Sequence, residues 1–238
     1  SPPPYRAVIE ASALPPAERL DTLLALRSVY RGFFDFHYLL GDELFHRGPL
    51  FGYPRARAIE ELQYARRLRP DFSGVTEHLV WAHVAEGDSA RAGALLDTLE
   101  LQHPLLNLDE YSAGLRVMHL LGFAWRFRPE GGAGALTDQL LGDPRISSSE
   151  YLAAGPRMMP AFGAPGGSVG FGRRLAAVAG RPEFQRAGLV AQALGWTALG
   201  RPDSAHRASQ ALARVSAERP WQMLELSLLS WLAVIGEP

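Results

Sequence analysis

Three groups of residues in this sequence have types and spacings that suit chemistry. The first is GGSVG, residues 166–170, which fits the pattern G-x-S-x-G. In that pattern a strained strand-to-helix turn presents a serine nucleophile, and an acid and a histidine follow later in the chain. Asp203 and His206 stand in that order after Ser168. The turn needs a strand before it, whereas AFGAP precedes it here and no series of alternating segments exists to build a sheet. Asp203 and His206 fall on what reads as one helix beside a turn. The stretch is therefore expected to be a flexible loop, with no catalytic residue and no enzyme activity assigned to it.

The second group is built on histidine. His37, His46, His78 and His83 lie in adjacent helical segments, and Asp42 stands one turn before His46, close enough to share a face. Zinc sites need three or four convergent ligands, oriented by outer hydrogen bonds. No HExxH spacing occurs and packing accounts for His37 and His83, so neither a metal nor a cofactor is expected. The third group is PLFGYP, residues 49–54, where Phe51 and Tyr53 sit between Pro49 and Pro54. Its rings either fold back over the edge of a helix pair or form a rim contact for a partner.

Composition removes several other chemistries. The chain has 238 residues and no Cys, and its 24 basic residues are all Arg. Without Cys there is no disulfide, thiolate nucleophile or Cys-ligated zinc. Without Lys there is no P-loop lysine, kinase phosphate-gripping lysine or Schiff-base lysine. The formal net charge of -1 gives no electrostatic reason for a nucleic-acid or anionic-membrane partner. The most apolar run, MLELSLLSWLAVIG at 223–236, is shorter than a membrane span and places Leu224, Leu228, Leu232 and Ile235 on one helical face. It is expected to be a buried terminal helix, with no membrane insertion by this chain. The opening SPPPY, without Met, reads as a processed or trimmed start. A Cys-free chain suits either side of a membrane, so the compartment stays open. Abundant Ala, Gly, Arg and Pro beside absent Lys suggest a GC-rich bacterial genome.

Helical periodicity positions these groups. It predicts helices over 16–30, 35–47, 56–68, 74–86, 89–102 and 108–127, with punctuation at Pro15-Pro16, Gly48-Pro49, Arg69-Pro70-Asp71 and Gly87-Asp88-Ser89. A fixed period runs through them. Ala58, Leu62 and Pro70 recur 34 residues later as Ala92, Leu96 and Pro104. Gly48 recurs as Gly87, 39 residues later, which places a five-residue insertion at PLFGYP.

At these positions the chain resembles the tetratricopeptide repeat (TPR), with its pattern W-x2-L-G-x2-Y, A-x3-F and P in 34 residues. One unit reads His37-x2-Leu40-Gly41-x2-Leu44, Ala58-x3-Leu62, Pro70; the next reads Thr76-x2-Leu79-Val80-x2-His83, Ala92-x3-Leu96, Pro104. Neither has the Trp, and Leu replaces the ring of the second helix. His37 and His83 take aromatic positions of the repeat. A looser echo follows over 186–220, where DSAHRA resembles DSARA at 88–92. More narrowly, YLLGDELFHRGPLFGYP with a later PDF looks like the repeat region at the C-terminus of bacterial serine/threonine kinases and related signalling proteins. No kinase motif is present.

The resemblance implies an all-α, TPR-like helical-hairpin solenoid, whose first helices line a concave surface. On matching positions that surface takes Tyr38, Asp42, Phe45 and His46 from one unit, Glu77 and Trp81 from the next, and Tyr111 and His119 from a third pair, with Phe51 and Tyr53 at its rim. Repeats are expected over 1–128 and helical hairpins over 175–238. Between them, 129–174 carries ten of the 24 glycines and reads as an irregular Gly/Pro-rich connector with short helices near 134–141 and 148–154. The expected function is a non-catalytic module binding a protein or peptide. The alternative is a structural subunit of a larger assembly, docked through the C-terminal helix and the 129–174 region.

Overall fold

The computed structural model describes residues 3–147 and 163–216, and every regular element among them is helical. In chain order these are α1 (Pro3–Ser12), α2 (Pro16–Leu26), α3 (Phe34–His46), α4 (Arg55–Leu68), α5 (Ser73–Glu86), α6 (Ser89–Gln102), α7 (Glu110–Phe127), α8 (Glu130–Leu141), α9 (Pro144–Ser147), α10 (Pro165–Ala176), α11 (Pro182–Ala198) and α12 (Pro202–Ser216). Three-ten turns at Gly48–Phe51 and Leu105–Asn107 join α3 to α4 and α6 to α7. The chain divides into two compact units, Ser1–His83 with Ala90–His103, and Val84–Ser89 with Pro104–Pro238.

In the first unit the core gathers Leu20 and Leu23 of α2, Phe36, Leu40, Leu44 and Phe45 of α3, Ala58 of α4 and Ala82 of α5. Pro16 starts α2 where its missing N–H costs nothing. Helix α3 crosses α4 at Gly41, where an added Cβ would lie 2.8 Å from Leu62 Cγ. A residue without a side chain lets the two helices meet closely there without displacing Leu62.

Two of the buried carboxylates of this unit, Glu43 and Glu61, are neutralised in place. Glu43 of α3 accepts from Arg19 Nη1 and Arg47 Nη1, both at 2.6 Å. Glu61 of α4 pairs with Arg27 and lies 2.8 Å from His37 Nδ1, while His37 Nε2 lies 3.1 Å from the Arg31 carbonyl. Buried charge is tolerated only when so paired. His37 is thus a packed, hydrogen-bonded core residue.

PLFGYP closes through the turn Gly48–Phe51, which ends on Gly52 at φ 80°, a left-handed conformation suited to glycine. The Tyr53 N–H donates to the Gly48 carbonyl at 2.9 Å, and its hydroxyl donates to Asp21 Oδ1 at 2.7 Å. Tyr53 therefore packs against the core as cover, whereas Phe51 stays exposed.

The second unit departs from the sequence expectation. Residues 129–174, expected to be an irregular connector with short helices near 134–141 and 148–154, include α8, which covers the first of these, and also α9 and nearly all of α10. GGSVG lies inside α10 and is not a flexible loop. Its glycines serve close approach: a Cβ on Gly167 or Gly170 would strike the Trp125 side chain at 2.6 and 2.4 Å. Gly172 of α10 and Gly188 of α11 press on each other's backbone, each added Cβ meeting the other's carbonyl at 2.6 and 2.4 Å. Trp125 Nε1 donates to Thr137 Oγ1 at 3.1 Å, which joins α7 to α8. Val190 and Ala193 of α11 pack with Ala208 and Leu212 of α12. Two expected elements, the helix over 148–154 and the terminal helix over 223–236, lie outside the described residues.

Candidate functional site

The side chains with usable chemistry converge on one face of the first unit, between α3 and α5. Helix α3 contributes Tyr38, Asp42, Phe45 and His46, which spacings of three and four residues place on neighbouring turns. Helix α5 contributes His78 and Trp81, one turn apart. The rings meet edge to face: Phe45 lies 4.9 Å from His46 and 5.0 Å from Trp81, and Tyr38 lies 5.7 Å from His78. His46 stands 5.6 Å from both His78 and Trp81, centroid to centroid. Arg55 of α4 lies over the Phe45 ring at 5.7 Å, placing a cation at the border of the cluster.

Asp42 stands at the centre. Its Oδ1 is 2.9 Å from His78 Nε2 and 3.4 Å from His46 Nε2. On the far side of the ring, His78 Nδ1 is 2.7 Å from the Gly74 carbonyl. A carbonyl can only accept, so Nδ1 carries a proton and the Nε2 edge is directed at the carboxylate. Burial alone would push the Asp42 carboxyl up. The hydrogen bonds from His46 and His78, with their charge, outweigh that and hold it well below the usual carboxylate range. Burial likewise pulls His78 down, and its bonds to Asp42 and Gly74, with the Asp42 and Glu77 charges, raise it overall.

The predicted surface residues divide. Tyr38, Asp42, Phe45, His46 and Trp81 do come together, although Phe45 is buried and doubles as core. Glu77 is buried and so cannot line an open groove. Helix α5 turns His78 to the face instead, one position along. Tyr111 and His119 belong to the second unit, where Tyr111 is exposed but His119 is only 1% exposed, its Nδ1 2.8 Å from the Leu115 carbonyl. His119 therefore lines no surface.

Ser168 presents no nucleophile. It is fully buried in α10, and its hydroxyl donates to the Ala191 carbonyl at 3.1 Å. His83 is also buried. Sequence reasoning grouped His78 with His46 and Asp42 among possible metal ligands and set a metal aside, but it did not place His78 on the partner surface. The available signal was its spacing of three from Trp81, weakened because apolar residues lie all round α5 in sequence and offer no single stripe.

Comparison of the chain with protein-family models, with curated proteins and with solved structures finds no match.

Proposed function

We propose that the chain is a non-catalytic helical-repeat module of the tetratricopeptide type, which takes a protein or peptide partner on the α3–α5 face. The observation that carries this reading is the gathering of Tyr38, Asp42, His46 and Trp81, drawn from two successive helix pairs, into one cluster with its polar heads partly open. The repeat register supports it. Ala58 and Ala92 are both fully buried, Leu62 and Leu96 are buried beside them, and Pro70 and Pro104 each follow the second helix of a pair.

A carboxylate framed by rings suits a segment that brings apolar side chains and a hydrogen-bond-donating or positive group. An acidic tail would be repelled by Asp42. The test is selection of binding peptides from a displayed random library on the whole chain, followed by calorimetric titration of the selected peptide. Trp81→Ala and Tyr38→Ala, shown to be folded, are expected to weaken binding about 30-fold, the ~2 kcal/mol typical of an aromatic hot spot. Arg67→Ala, on the exposed surface of α4, is expected to leave it unchanged. Loss in Arg67→Ala with retention in both ring variants would overturn the assignment.

A further inference from the structure

We propose that Asp42, His46 and His78 form a binding site for a single zinc-class dication, Zn2+ or its surrogate Co2+. The donor set is the first reason. Two imidazole nitrogens and a carboxylate oxygen are the ligands that borderline first-row dications prefer when thiolate is absent, and three protein ligands leave a position for water.

Geometry is the second reason. The three ligand atoms lie within 4.8 Å of one another, and two of the separations are 2.9 and 3.4 Å. Tetrahedral coordination with bonds of about 2.0–2.1 Å places ligand atoms roughly 3.3 Å apart. Two separations bracket that value and the third lies within 4.8 Å, so side-chain movement alone brings the three atoms onto one cation.

The third reason lies outside the triad. His78 Nδ1 donates to the Gly74 carbonyl at 2.7 Å. That bond fixes the tautomer and ring orientation which leave Nε2 as the inward atom, the outer support that metal-bound histidines characteristically have. Tyr38 and Phe45 flank the His78 ring, and Phe45 and Trp81 flank His46, so neither imidazole has to be ordered from a freely rotating state.

Access is the fourth. The side chains of His46, Asp42 and His78 are 41, 30 and 18% exposed, so a hydrated ion reaches the ligands from solvent while the inner imidazole stays sheltered. Glu43, the neighbour of Asp42 along α3, is already held by Arg19 and Arg47 and does not compete. The proposed site is complete in this chain and does not depend on any partner.

The test titrates the metal-free full chain with Co2+ alone, followed by its visible d–d absorption, and then displaces Co2+ with Zn2+. One equivalent is expected to bind with a band typical of four- or five-coordinate Co2+, and Zn2+ is expected to abolish it. Asp42→Asn, His46→Gln and His78→Gln should each weaken binding at least 10-fold, whereas His206→Gln, an exposed histidine of α12, should not. No band in the wild-type chain, or equal affinity in His78→Gln, would overturn the site and leave only a hydrogen-bonded Asp–His cluster. Should a variant lose its helical circular dichroism, nitrogen-15 spectra of the wild-type imidazoles decide. Zn2+ must shift Nε2 of His46 and His78 while leaving His37 and His83 in place, and any other pattern overturns the proposal.

Discussion

Replacing Gly41 with alanine sets two effects against each other in α3. Removing a glycine from a helix interior gains about 1 kcal/mol of propensity. The added Cβ, however, would lie 2.8 Å from Leu62 Cγ, 2.9 Å from Leu62 Cδ2 and 3.2 Å from the Leu62 backbone nitrogen. Carbon atoms pack best at about 3.5–4.0 Å, so the overlap is roughly 0.6–1.2 Å. Leu62 is fully buried, and the backbone contact means that a rotamer change alone does not relieve the clash. Overpacking of this kind costs ~1–3 kcal/mol. The net expectation is a loss of about 1 kcal/mol for Gly41→Ala and about 3 kcal/mol for Gly41→Val, whose branched side chain adds bulk and lowers propensity. Gly166 gives the opposite sign. It opens α10 with no atom within 4 Å of a Cβ, so Gly166→Ala is expected to stabilise by ~0.5–1 kcal/mol. Urea denaturation followed by far-UV circular dichroism, compared at unchanged slope, measures all three. In the double variant Gly41→Ala/Leu62→Ala the new methyl enters the space left by the leucine, and the cost should fall below the sum of the single costs by about 1 kcal/mol. A Gly41→Ala midpoint raised as far as that of Gly166→Ala would refute the closed α3–α4 crossing, as would strict additivity in the double variant.

Further outcomes follow from the polar groups. Glu61→Ala removes the carboxylate shared by Arg27 and buried His37, and is expected to cost about 3 kcal/mol, read as a fall of roughly 6–12 °C in Tm; an unchanged Tm would contradict the buried pairing. Ser168→Ala should change stability by no more than ~1 kcal/mol and remove no hydrolytic activity, and ester hydrolysis lost in that variant with the fold intact would sink the non-catalytic reading. Asp109 caps α7, and the Ser112 hydroxyl and N–H hold its carboxyl below the usual aspartate range. Its stabilisation is therefore fully present above the ordinary aspartate pKa of about 3.9 and is lost as pH falls through the lowered folded value. In a carboxyl carbon-13 titration Ser112→Ala should move that midpoint upward, and no movement would contradict the cap.

Helix positions from α2 to α6 were legible because two independent signals agreed: the punctuation at Pro15-Pro16, Gly48 and Pro70, and the recurrence of Ala58 and Leu62 as Ala92 and Leu96; α1, over Pro3–Ser12, was not expected. Gly41 was legible as a crossing for the same reason. The orientation of α5 was not, because Val75, Leu79, Val80, Trp81, Ala82 and Val84 spread apolar residues round the helix in sequence, leaving no stripe to show which residue faces outward. That ambiguity of one position, about 100° of helical rotation, is what separates Glu77 from His78. The Gly-rich α10 was misread for a different reason. Local propensity counts Gly167, Gly170 and Gly172 as helix breakers, whereas Trp125 and the α11 backbone need that face empty, and tertiary packing overrides propensity.

The carboxylates of the first unit then differ in a way that sequence alone does not reveal. Glu43 and Glu61 are each matched to a guanidinium, a group with no lone pair to offer and no proton to give up in the ordinary range of pH. They act as fixed parts of the α2–α3–α4 core. Asp42 is one residue from Glu43, yet its partners are the imidazoles of His46 and His78. Imidazole can give up a proton near neutral pH and then offers a lone pair, which guanidinium does not. Helical rotation thus turns Glu43 inward to Arg19 and Asp42 outward to two exchangeable partners. Of the three carboxylates, only Asp42 sits where a proton, a metal ion or a positively charged group of a partner can compete for the same oxygen. Asp42→Asn is therefore the substitution that tests this oxygen, because it keeps the shape of the face while removing the charge that each of those three would need.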